Sequence, residues 1–260
     1  MAKTQLRFAS LGSGSRGNGT LFEVGDTTIL VDCGFSLKQT EIRLQRLGRS
    51  LDEIDAILVT HEHGDHLGGV RRVAARSGVP VWMTEGTARE AERRHGLFDS
   101  IRIVGGDDRF SIEGIEINPF HVPHDASEPI QFTFSNGKRT VGLLTDTGEV
   151  TSNIERQLDG CDALLLECNH DPKMLDAGPY PASLKRRVAG RFGHLSNRQA
   201  AALLKDIDTS RLQHLAVMHM SDKNNCEELA IASVCAALGC EQKWISIAGQ
   251  QSGLGWREII

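Results

Sequence analysis

Apolar residues recur with a period of two early in the chain and with a period near 3.6 soon afterwards, and the two patterns trade places to its end. Residues 6–11, 20–24 and 28–32 are predicted strands. Gly25-Asp26 between the last two is a hairpin signal, since a two-residue turn needs residues that tolerate left-handed backbone. Residues 37–47 set Leu37, Ile42, Leu44 and Leu47 among charges, an amphipathic helix that Gly48 ends. Next come a strand at 56–60, a helix at 66–76, a strand at 79–83 and a helix at 87–94. From 101 to 144 the pattern is of strands, with a hairpin across Ser135-Asn136-Gly137. Afterwards 153–158, 182–191, 197–207 and 226–238 read as helices, while 163–167, 215–219 and 244–248 read as strands. This alternation predicts one α/β domain over residues 1–260, its strands in sheets and its helices on their outer faces.

Composition narrows the picture. Hydrophobic residues at 40% and charged ones at 24% exclude disorder, collagen and coiled coil, and no apolar run is long enough for a membrane span. The start, Met-Ala-Lys-Thr-Gln-Leu-Arg, lacks the apolar core of a secretion signal, so the expected compartment is the cytoplasm, with no membrane partner. Six cysteines without a C-x-x-C pair argue against a disulfide framework and against a structural zinc ribbon; reduced, mostly buried thiols are expected. A net charge of −5 means that any site for a polyanion must be a local patch.

The chemistry concentrates after the 56–60 strand, where His61-Glu62-His63-Gly64-Asp65-His66 offers four potential metal ligands in six residues. At this chain's histidine and acid content, H-x-H-x-[DE]-H is expected only about 0.002 times by chance. On an extended segment His61 and His63 point the same way, and Gly64 lets the chain turn so that Asp65 and His66 face a second position. Imidazole with carboxylate suits zinc, manganese or iron.

This stretch resembles the signature of the metallo-β-lactamase superfamily, and other pieces resemble its YycJ/WalJ-like branch. They are the Gly12-Ser13-Gly14-Ser15-Arg16-Gly17-Asn18 loop, Val31-Asp32-Cys33-Gly34, His124-Asp125-Ala126, Thr145-Asp146-Thr147-Gly148, Glu167-Cys168-Asn169-His170-Asp171, Tyr180-Pro181, Gly193-His194-Leu195-Ser196-Asn197 and Met218-His219-Met220-Ser221. The resemblance implies a four-layer αββα sandwich and two divalent ions. His61, His63 and His124 would hold one ion, Asp65, His66 and His219 the other, with Asp146 bridging. His121 competes with His124, which is preferred because it matches the family's His-Asp-Ala and precedes an acid able to orient it. Read alone, His219 at the end of the apolar run 215–218 is more readily a packed histidine. Asp65 and His194 are the expected catalytic residues; the Gly-His-Leu-Ser-Asn stretch is similar to a histidine motif of tRNase Z relatives, which implies an acid or transition-state stabiliser.

Two ions sharing a bridging hydroxide would drive hydrolysis near neutral pH. Ser15 and Asn18 in the glycine-rich loop, and Asn169 and His170 past the 163–167 strand, are candidate substrate contacts, although the loop serves equally as a tight turn between strands. Lys185, Arg186, Arg187 and Arg191 crowd residues 182–192 with no acid among them, ready for phosphates or simply a solvated helix face. The expected function is a phosphodiesterase with nucleic acid as partner, through the resemblance a 5′-to-3′ DNA exonuclease without a β-CASP insertion. The alternatives are a hydrolase of small cyclic phosphodiesters, lactones or thioesters, and a catalytically silent metal-binding interaction protein. Native metal and oligomeric state stay open.

Overall fold

A computed structural model describes residues 5–260; the four residues before Gln5, part of the start read above for a leader, lie outside the described residues. The strands are β1 (Leu6–Gly12), β2 (Gly19–Val24), β3 (Thr27–Val31), β4 (Ala56–Leu58), β5 (Val81–Met83), β6 (Ile101–Ile103), β7 (Phe110–Ile112), β8 (Ile115–His121), β9 (Ile130–Ser135), β10 (Thr140–Leu144), β11 (Ala163–Glu167), β12 (His214–Met218), β13 (Ile245–Ile247) and β14 (Leu254–Glu258). Among the described residues they form two seven-stranded sheets, ordered β14-β1-β2-β3-β4-β5-β6 and β13-β12-β11-β10-β9-β8-β7. Each sheet is mixed. The meanders β14-β1-β2-β3 and β7-β8-β9-β10 are antiparallel, whereas β3 to β6 and β10 to β13 run parallel.

Side-chain alternation makes the layers. In β2 and β3, Phe22, Ile29 and Val31 face the second sheet, and Leu21 and Leu30 face away from it. In β11, Ala163 and Leu165 face the first sheet while Leu164 and Leu166 face helices, so this run is apolar throughout, as a strand buried on both faces requires. The helices are α1 (Leu37–Arg46), α2 (Gly64–Leu67), α3 (Val70–Ser77), α4 (Glu85–His95), α5 (Ser152–Leu158), α6 (Pro172–Ala177), α7 (Ala182–Val188), α8 (Asn197–Asp206) and α9 (Glu227–Leu238). Leu44, Val70, Val73 and Ala91 cover the outer face of the first sheet; Ile154, Leu158, Ala200, Leu203 and Val234 cover that of the second. The result is a helix–sheet–sheet–helix sandwich.

Local chemistry explains the boundaries. Gly25 and Gly48 take positive φ at the turns where they were expected, and Ser36, Thr84, Thr151 and Ser196 cap α1, α4, α5 and α8 through their hydroxyls. The helix predicted at 66–76 is instead two helices, α2 and α3, parted at Gly68-Gly69. The cause is tertiary: Cys33, Gly34 and Phe35 run against this segment so closely that a Cβ on Gly69 would overlap the Phe35 carbonyl, and one on Gly34 that of Asp65. The helix predicted at 182–191 stops at Val188, because the chain turns back and the Gly193 and His194 amides bond the Gly190 and Val188 carbonyls. The strand predicted at 244–248 starts one residue later, after a 3-10 turn at Gln242–Trp244. Helix α6 and strand β14 were not anticipated. For α6 the signal was present, since the Asp171 carboxylate accepts from the Lys173 and Met174 amides and Pro172 opens the helix. All six cysteines are free thiols, with Cys33, Cys161, Cys168 and Cys235 buried.

Phe22 and Phe134 stack between the sheets with ring centroids 3.8 Å apart, both fully buried. Replacing Phe134 by Ala should therefore destabilise the fold by about 3–5 kcal/mol, read as a lower urea midpoint with an unchanged slope.

Candidate metal centre

Both parallel halves deliver their strand ends to one place at the seam of the sheets. Asp32 follows β3, Thr60 and His61 follow β4, Asp146 follows β10, Glu167 ends β11 and His219 follows β12. Asp32, Asp146 and His219 have φ of 59°, 52° and 49°, the left-handed region in which a side chain leaves the strand in a new direction. For residues with a Cβ that conformation costs roughly 1–2 kcal/mol, so contacts at the seam must offset it.

A chain of hydrogen bonds does so. Asp32 Oδ1 accepts from the Thr60 amide at 2.9 Å, and Oδ2 accepts from the Thr60 hydroxyl and from His66 Nδ1, each at 2.8 Å. With its proton committed to Asp32, the Thr60 hydroxyl can only accept from His61 Nδ1 at 2.9 Å. Both imidazoles thus expose an unprotonated Nε2 when neutral. His124 is held likewise by donating from Nδ1 to the Gly193 carbonyl at 3.0 Å.

The free ring atoms converge. One nitrogen each from His61, His63 and His124 lies within 4.8 Å of the others; so do ligand atoms of His61, His66 and Asp146, and of Asp65, His66 and His219. The groups meet at His66 and Asp146, whose Nε2 and Oδ2 are 3.1 Å apart. Buried His61 Nε2 and Asp146 Oδ2 have no hydrogen-bond partner. An orphaned imidazole nitrogen and an orphaned carboxylate oxygen, both fully buried, fit a divalent cation. A further group joins Asp146, Glu167, His194 and His219. Glu167, however, is already satisfied: Oε1 accepts from His194 Nδ1 at 2.8 Å, and Oε2 from the Thr147 and Leu195 amides at 3.1 and 3.2 Å. It holds His194 rather than offering a free ligand atom.

Electrostatics follow from the surplus of buried acid. Burial opposes charge on Asp146 and Asp65, yet neighbouring His219 and His66 outweigh it and hold both carboxyls below their usual range. Burial likewise opposes charge on His66 and His219, but Asp146 and its fellow acids hold His66 well above the ordinary imidazole value and push His219 up to about 10. For His61, burial and the adjoining His66 prevail and keep it neutral. His194 is raised, since Glu167 and Asp146 outweigh its burial.

A cleft of about 360 Å³ opens over these groups, lined by Ser15, His63, Asp65, Asp125, Asp146, Tyr180, Leu184, Arg187, His194 and His219. The expected metal residues His61, His63, Asp65, His66, His124, Asp146 and His219 are thus together, with His194 beside them. His121 is not: its exposed ring lies against Gly106. Of the expected substrate contacts, exposed Ser15 and Arg187 reach the cleft, and Arg187 Nε lies 2.5 Å from Asp125 Oδ2. Three do not. Asn18 is buried, its carbonyl accepting from Gly14 and its amide contacting Asp65 and His66; Asn169 is buried and donates to the His219 carbonyl; His170 is buried in a bridge to Ser196, and burial lowers its imidazole to about 4. These residues hold the ligand-bearing segments in place. Lys185 bonds the Asp176 carbonyl and Arg191 pairs with Glu149, while exposed Arg186 is not part of the lining. Asp32, Thr60 and Glu167 were not assigned roles from sequence; acids or hydroxyls just past a strand end were the available signal.

A profile of the beta-lactamase superfamily domain matches residues 27–220. The chain is 37% identical over 235 residues to the exodeoxyribonuclease YycJ of Bacillus anthracis, covering 90% of this chain and 89% of the relative. It is 35% identical over 236 residues to the exodeoxyribonuclease WalJ of Streptococcus pneumoniae, covering 88% and 87%. Among solved structures, the metallo-beta-lactamase fold protein YhfI from Bacillus subtilis superposes with a TM-score of 0.75 at 16% identity over 98% of this chain and 100% of that one.

The raised His219 value carries a sign. Protonated His219 stabilises the fold fully below the ordinary value of 6.5, and that contribution is lost as pH climbs towards about 10. In chelator-stripped protein, the melting-temperature gap between wild type and His219→Gln should shrink across this window; a gap that widens would contradict the charge balance described.

Proposed function

The chain belongs to the beta-lactamase superfamily and, within it, to the YycJ/WalJ-like branch, and on that footing we propose that it is a metal-dependent phosphodiesterase that degrades DNA from the 5′ end. His61, His63 and His124 are assigned to one divalent ion, Asp65, His66 and His219 to a second, and Asp146 to both. The observation that carries this reading is the pair of adjoining imidazole–carboxylate groups meeting at His66 and Asp146, next to a histidine held by a buried glutamate. Nitrogen and oxygen donors without thiolate favour zinc or manganese, with iron also compatible.

Divalent ions held there supply Lewis acidity, neutralising phosphoryl oxygens and making water a stronger acid. The protein's own groups do the rest. Glu167 accepts from His194 Nδ1, which leaves the other ring nitrogen for the cleft, and Glu167 with Asp146 raises the His194 pKa, favouring the imidazolium that can protonate the departing alkoxide. Asp65, at the cleft floor, is steadied by the Asn18 amide at 3.3 Å and by His219 Nε2 at 3.4 Å. Arg187, on the rim, is placed for a phosphate flanking the scissile bond, with Asp125 keeping its guanidinium beside the cleft. We read residues 1–260 as one catalytic domain without an inserted second domain, because α5, β11, α6, α7, α8 and β12 occupy the stretch between Asp146 and His219. Six free thiols accord with a reducing compartment such as the cytoplasm.

A second reading, a hydrolase of small phosphodiesters or esters, is favoured by one observation: the cleft volume lies near the low end for small-ligand sites. Salt separates the two. Turnover of DNA should fall steeply between 50 and 200 mM salt, as contacts to several phosphates require, whereas turnover of a small ester should change little.

The test is a time course on linear duplex DNA labelled at the 5′ or the 3′ end, with manganese or zinc. Early mononucleotide release from the 5′ label alone is expected; an intact duplex under every metal would overturn the assignment. Asp65→Ala should abolish release and lower bound metal. His194→Ala should slow release by roughly 100-fold or more with metal content kept, and depleted metal would make His194 a ligand instead.

A further inference from the structure

The cleft has a lining of two chemical kinds. His63, Asp65 and Asp146 bring imidazole and carboxylate to it, whereas Tyr180 and, on one face of α7, Leu184 and Val188 beside Arg187 bring apolar carbon to the same space. A phosphodiester group alone has no use for apolar carbon beside a cluster of acids and imidazoles. A nucleobase does, since it has two apolar π-faces next to its charged backbone.

Tyr180 is the single tyrosine in the chain and belongs to none of the three hydrophobic clusters that hold the sandwich together. Among the described residues its hydroxyl makes no hydrogen bond, and its ring is half-buried. The backbone that carries it is nevertheless restricted. Pro179 and Pro181 flank it and restrict the backbone on both sides, with Pro181 at φ −56° as the N-cap of α7. Gly178, just before, packs so tightly on the segment after His219 that a Cβ would come 2.5 Å from Asn224 Oδ1. From that same segment Lys223 places its ammonium 5.8 Å from the ring centroid. An aromatic side chain on a backbone restricted by prolines, outside the core clusters and accompanied by a cation, meets a ligand with less backbone entropy to lose.

We propose that Tyr180 is the stacking platform for a nucleobase flanking the scissile phosphodiester. The stack sets the reach of the terminal nucleotide so that its phosphodiester falls between Asp146 and His194, and Lys223 and Arg187 flank it for the adjoining phosphates. This rests on the reading of the chain as a DNA phosphodiesterase. Tyr180 is a specificity residue: it favours substrates that carry a base over a bare sugar-phosphate.

The experiment compares kcat/KM on 5′-labelled duplexes that are intact or carry a tetrahydrofuran abasic analogue at the first or second nucleotide. Wild type should prefer the intact end by about tenfold, at the modest end of what a base–aromatic stack contributes. Tyr180→Ala should lose the preference at one of these positions while keeping wild-type metal content and melting temperature, and Tyr180→Phe should retain it. Should Tyr180→Ala lower the melting temperature, Tyr180→Leu, which keeps bulk without a π-face, must show the same lost preference. A base-to-abasic ratio equal to wild type in both Tyr180→Ala and Tyr180→Leu would overturn the platform while leaving the phosphodiesterase reading intact. A wild type inert on every duplex would remove that reading, and the platform with it.

Discussion

The carboxylates of Asp32, Asp146 and Glu167 are fully or almost fully buried at the seam between the two sheets, and Asp65 is only partly open to the cleft. A carboxylate removed from water is tolerable only where proton donors or positive charge meet it. Here imidazoles, backbone amides and one threonine hydroxyl meet these acids. Two of them, Asp32 and Glu167, have their donors in full and act as struts. Asp146 keeps an oxygen that no donor satisfies, as His61 keeps a nitrogen. The architecture therefore divides its acids into those that orient imidazoles and those left for a cation.

That division depends on the backbone as much as on the side chains. The left-handed conformations at Asp32, Asp146 and His219 each disfavour the folded chain locally, and they persist because the strands behind them are buried on both faces and cannot give way. The glycine contacts serve the same end. Segment 33–35 lies directly against segment 65–69, so the turn that follows the Asp32 strut and the turn that bears Asp65 and His66 are a packed unit instead of independent loops.

Above this rigid floor, the rim carries side chains of different chemistry. Arg187 presents a guanidinium, His194 an imidazole held by Glu167, and Tyr180 with Leu184 an apolar surface, all from the chain between β11 and β12. The candidate metal ligands thus come from strand ends and the turns after them in both sheets, whereas His194 and the rim residues come from short helices and loops on one side. Net charge of −5 for the whole chain is compatible with a polyanionic substrate because the cationic groups that count are few and local.

Local sequence was enough for the α/β alternation, the apolar strand at 163–167 and the hexapeptide after β4, since periodicity and ligand spacing are properties of neighbouring residues. Resemblance added His124, Asp146 and His219, which spacing alone could not join. Tertiary packing decided the rest. It broke the 66–76 helix, because the intruding 33–35 segment is distant in sequence. It turned His121 outward and His124 inward, and drew Asn18, Asn169 and His170 away from substrate into the supports of the ligand turns. It also gave Asp32 and Glu167 their roles, because a carboxylate past a strand end becomes a strut or a ligand according to which donors the opposite sheet brings to it, and no linear pattern records that meeting.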